Sequence, residues 1–75
     1  MMFQPKEGQI FEHYCMGKRF VLVVTGRKSK SKRFFNVIMQ DGYGSARRQS
    51  DFEKYRLIAE YPTWQEAVNS KGFKK

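Results

Sequence analysis

Among its 75 residues the chain has one cysteine, one histidine and two prolines, and only seven acidic residues stand against fifteen lysines and arginines. A single thiol, Cys15, rules out an intramolecular disulfide, so the staples of a small secreted scaffold are missing and a reducing, cytoplasmic setting is expected. Long apolar runs are also missing. The longest, Phe20 to Val24, is far too short to cross a bilayer, and the segment Met1 to Gly8 lacks the apolar core of a signal peptide. With no amphipathic basic helix and no lipidation motif, membrane attachment is not expected. His13 and Cys15 lie two residues apart and would share one face of a strand, but no third orienting group accompanies them. They also fall short of a four-ligand zinc site, and no phosphate-cradling glycine loop occurs. The expectation is a protein with no catalytic residues, metal or cofactor, with Cys15 as a small buried apolar group near a turn.

What the chain does have is positive charge in one place. From Arg27 to Arg33 the sequence reads Arg-Lys-Ser-Lys-Ser-Lys-Arg, five cations in seven residues with no acid among them. This run supplies five of the eight charges in the formal +8, Arg47 and Arg48 supply two more, and all the rest nets one. The excess is therefore local. A concentrated cationic segment on an ordered domain suits a polyanion, because neutralising phosphates releases condensed counterions whatever the base sequence. The plain alternative for such a run is a solvated loop that keeps the protein soluble.

The basic run lies between two apolar stretches and reads as the tip of a β-hairpin. Gln9 to Tyr14 alternates polar and large apolar residues as a half-buried strand does, and Met16-Gly17-Lys18 supplies a turn. Arg19 to Thr25 is the most β-prone stretch, and Arg33 to Gln40 forms the third strand on the far side of the basic run. Asp41-Gly42 signals a tight hairpin turn, with glycine taking the positive φ, ahead of a short fourth strand from Gly44 to Gln49. Ser50-Asp51-Phe52-Glu53 has the spacing of a capping box and room for one helical turn before a fifth strand, Arg56 to Tyr61. Pro62 stops that strand, and Thr63 to Glu66 repeats the capping pattern ahead of a terminal helix over 63–71, with Gly72 just past its end.

That order of four short strands, one helical turn at Ser50 to Tyr55 and a fifth strand resembles the SH3-like barrel, the plan of SH3, Tudor, KOW and small chromatin-protein domains. The resemblance covers residues 8–61, and the Trp64 helix is similar to the terminal helix that small archaeal chromatin proteins pack beside a barrel. It implies a single mainly β domain over 1–75, a five-stranded barrel at 8–61 followed by a short helix; an OB-fold is the competing five-stranded barrel.

Strand alternation places Phe20, Leu22 and Val24 on one face of the second strand and Val21, Val23 and Thr25 on the other, so both faces are apolar. The third strand is similar, with Phe35, Val37 and Met39 opposing Phe34, Asn36, Ile38 and Gln40. Something must cover the second face, and the terminal helix, through Trp64, Ala67 and Val68, is the expected cover. Arg47 and Arg48 must point to opposite faces, so at most one of them extends a cationic surface; either is also placed to pair with Asp51 or Glu53. The expected function is non-enzymatic binding of nucleic acid, DNA or RNA, through backbone phosphates with low sequence specificity. Its candidate residues are Arg27, Lys28, Lys30, Lys32, Arg33, Phe34, Arg47 and Arg48, with Phe34 either a stacking platform for bases or a core ring beside Phe35. The alternative is an adaptor, of the kind mobile elements supply, docking on an acidic protein through the same loop and an uncovered apolar patch of Val21, Val23, Phe34 and Ile38. Either would be a monomer or weak homodimer.

Overall fold

The computed structural model describes residues 5–27, Arg27 by its backbone alone, and 33–73. Five antiparallel strands form one sheet: β1 (Gln9–Cys15), β2 (Lys18–Arg27), β3 (Phe34–Met39), β4 (Gly44–Arg48) and β5 (Arg56–Glu60), in the order β4-β3-β2-β1-β5. A 3₁₀ helix, Gln49–Lys54, joins β4 to β5, and an α-helix, α1 (Trp64–Val68), follows. The mainly β class, the strand succession and both short helices agree with the sequence reading.

Closure does not. β4 and β5 are the two outer strands, so the sheet remains open and neither an SH3-like nor an OB-type barrel is completed. The chain crosses from one edge to the other through the 3₁₀ helix, whose Phe52 fills the space beneath the sheet. Phe52 meets Phe11, Phe35 and Tyr55 edge-on, with ring centroids at 5.0, 5.8 and 5.3 Å. Leu22, Val24 and Val37 complete this cluster, with Met39 and Leu57 packed against it. Each fully buried side chain of this size is worth about 1.5–3 kcal/mol.

The opposite face is covered by α1, as the two-faced pattern of β2 requires. Ile10, Val21, Val23, Ala67 and Phe73 form a second buried cluster, and Trp64, Val68, Ile38, Ile58 and Tyr61 pack on it. The helix is shorter than the expected 63–71. Thr63 caps its start by accepting from the Glu66 N–H at 3.2 Å, but the Asn69 side chain donates to the Gln65 carbonyl and the Ser70 hydroxyl to the Ala67 carbonyl. Such short polar side chains compete for the carbonyls that a further turn would use. The turns beyond α1 then bring Phe73 back into the core, where its carbonyl accepts from the Gln40 amide at 2.8 Å. The first helical turn is likewise capped differently from the expectation at Ser50: Asp51 accepts from the Arg48 N–H at 3.1 Å, so the helix starts earlier.

Two turns show where backbone geometry constrains sequence. Gly8 has φ +90°, donates to the Val24 carbonyl and accepts from the Tyr61 N–H, and a Cβ there would stand 2.1 Å from the Tyr61 carbonyl oxygen. Gly8→Ala is therefore expected to cost about 3 kcal/mol or more, read as a lower urea midpoint. At the β1–β2 turn Met16 adopts φ +52° with its side chain 96% exposed, a conformation that residues with a Cβ resist. Met16→Asn should stabilise the fold by about 1 kcal/mol, read as a higher urea midpoint, since asparagine tolerates this region and no contact is lost.

Candidate functional site

β2 and β3 are antiparallel neighbours, with Arg27 paired to Phe35. The basic run is thus the connection of a hairpin, as its flanking stretches implied. Lys28, Lys30 and Lys32 lie outside the described residues, as does the Arg27 side chain. The described cations of this end are Arg33, Arg47 and Arg48. Arg33 is exposed and its carbonyl accepts from the Gln49 N–H at 2.7 Å, which ties the end of the run to the end of β4. Phe34 pairs with Arg48 and Phe35 with Arg47 across the β3–β4 ladder, so the two arginines take opposite faces.

Arg48 is exposed, with its guanidinium carbon 5.7 Å from the centroid of the Phe34 ring. Phe34 is half-buried and is not among the buried residues of either core cluster, in contrast to its neighbour Phe35, which is 1% exposed. The two adjacent phenylalanines have therefore separated by face, one into the core and one onto the outer surface beside a cation.

Arg47 is half-buried on the Phe35 face of the sheet. Its Nη1 donates to the Ser45 hydroxyl at 2.6 Å and to the Ala46 carbonyl at 3.1 Å, and its charge is felt by both His13 and Tyr55. The expected pairing of an arginine with Asp51 takes another form, because the Asp51 carboxylate accepts from the Arg48 backbone N–H. Beside Arg47, His13 is stacked between Phe20 and Tyr55, centroids 5.2 and 4.3 Å away, and its Nε2 is buried without a hydrogen-bond partner among the described residues. His13 is half-buried, and its ring sandwich depends on Tyr55, forty-two positions away, so no local signal in the sequence marks it. Cys15, expected to be buried, is exposed. It ends β1 beside the Met16-Gly17 turn, beyond the reach of either core cluster.

The apolar patch suggested for a protein partner does not exist as an open surface. Val21 and Val23 are buried beneath α1, and Ile38 packs on the same cluster. Among the described residues no three His, Cys, Asp or Glu side chains gather as a metal site, and no helix is long and apolar enough to cross a membrane. No protein-family model matches the chain, and neither a curated protein nor a solved structure matches it.

The His13 imidazole is held below its ordinary pKa of 6.5, first by burial and then by the Arg47 guanidinium, with Asp51 pulling weakly the other way. The unfolded chain therefore binds more protons at this site than the native one just below pH 6.5, so stability contributed here is full above 6.5 and declines as pH falls beneath it. His13→Phe, which keeps the ring stack and removes the titration, is expected to lose less thermal stability than the parent between about pH 6.5 and pH 5. Parallel melting curves for the two proteins across that interval provide the check.

Proposed function

We propose that this protein is a small non-enzymatic nucleic-acid-binding module that grips backbone phosphates through the basic tip of the β2–β3 hairpin, with little sequence preference. The observation that carries this reading is convergence. Arg27 and Arg33, the two ends of the basic run, lie at the same end of adjacent strands, and Arg48 lies one strand further on, facing the same side as Phe34. Seven of the net eight charges belong to the segments that meet there, whereas cations elsewhere are nearly balanced by acids; Arg19, for example, donates to Glu12 at 2.6 Å.

Phosphate recognition needs no more than this. Lysines act as mobile point charges and arginines as planar forks, and both release counterions on contact with a polyanion. The basic run holds no asparagine or glutamine, so few groups there read base edges. An acidic protein would satisfy the same charge, but the hydrophobic contact that normally accompanies such docking is occupied by α1.

With Arg47 engaged by Ser45 and Ala46, neutralising about five or six phosphates predicts a log K against log salt slope of roughly −4.5 to −5.5 on duplex DNA. A slope near zero, or no binding at low salt, would refute the reading. Changing Arg27, Lys28, Lys30 and Lys32 together to glutamine should abolish retention on a polyanion column while leaving the circular dichroism melt intact; unchanged retention would exclude the hairpin tip.

A further inference from the structure

Resting on that phosphate-binding reading, we propose that the physiological ligand is single-stranded, and that the Phe34–Arg48 pair with Asn36 forms a seat for one unpaired base. The sheet face that bears α1 is covered at Val21, Val23 and Ile38. Beyond Ile38 the same face continues toward the basic tip with the cross-strand pairs Asn36–Ala46 and Phe34–Arg48. Asn36 is exposed, Ala46 is small, and the partner of Asn36 on the other side is Gly26, where no described atom lies within 4 Å of the position a Cβ would take. The result is a low shelf between two walls, Ile38 at one end and the Phe34–Arg48 stack at the other.

Successive same-face positions on a strand are about 7 Å apart, so the Asn36 amide stands within lateral reach of a ring stacked at Phe34. The guanidinium of Arg48 lies over the phenylalanine face, and Arg48 is exposed, so a base either lies on the guanidinium plane or takes its place on the ring. Every base has a π-face, so the seat discriminates little among sequences. It does discriminate between strand states. In a duplex the base faces are occupied by their neighbours, and the Arg48–Phe34 pair offers the double helix one charge and nothing more. A phosphate-gripping loop next to a base seat is what a flexible single strand, with bases splayed and backbone adjacent, satisfies at both points together.

Fluorescence anisotropy at one salt concentration, with a short oligothymidine, an oligouridine of the same length and a matched mixed-sequence duplex, tests this. The wild-type protein should bind at least one of the single strands more tightly than the duplex. Phe34→Leu should weaken single-strand binding by about fivefold or more while duplex affinity stays put. Arg48→Lys, an exposed change that keeps the charge and removes the plane, should weaken the single strand and spare the duplex, which protects the test if Phe34→Leu folds poorly. Equal affinity of the wild type for single and double strands, or an Arg48→Lys loss shared by both, overturns the base seat and leaves phosphate binding standing. Binding to none of the three removes the phosphate reading itself.

Discussion

Everything in this fold answers to one demand: β2 is apolar on both faces, and a chain of 75 residues must cover it twice. One side receives the 3₁₀ helix with Phe52 at its centre, the other receives α1 and the returning Phe73. Neither cover is large. α1 has five residues and would not persist alone, since short helices are marginal in water and this one is held by the sheet it protects. Its start is fixed by Thr63 from within and by the Glu7 carboxylate, which accepts from the Trp64 N–H at 3.2 Å across fifty-seven positions of sequence.

The same demand explains where function has room. On the α1 face the cover is spent on the middle of the sheet, around Val21, Val23 and Ile38, and Phe34 lies outside that cluster, whereas on the other face Phe52 reaches as far as Phe35. The Phe34 ring is left at the surface and is flanked by Arg48, while Phe35, one residue on, is buried against Phe52. Alternation along a single strand thus supplies both a core anchor and a surface aromatic from one Phe-Phe dipeptide.

Much of this was legible in the chain. The strands announce themselves by β-branched and aromatic runs, Asp41-Gly42 forms the expected turn with Gly42 at φ +87° and the Asp41 carboxylate accepting from the Tyr43 N–H, and the opposition of Arg47 to Arg48 follows from pleat alone. The failures share a cause. Barrel closure, the role of Phe73 and the aromatic sandwich around His13 all depend on which distant segments meet, and local pattern carries no register for that. Thr63 caps α1 as its pattern implies, but the start of the 3₁₀ helix failed for a subtler reason: Asp51 and Ser50 both suit capping, and the carboxylate that reaches the Arg48 N–H sets the boundary.

The exposed thiol has a practical corollary. Cys15 pairs with Lys18 where β2 begins, and Arg27 stands at the other terminus of that strand, roughly 30 Å away by the rise of an extended chain. As the only sulfhydryl in the sequence, it offers one chemically unique handle remote from the cationic pole. A maleimide dye or a spin label attached there would leave the basic tip unobstructed, and tethering the protein to a surface through that sulfur would present the arginine-rich end outward.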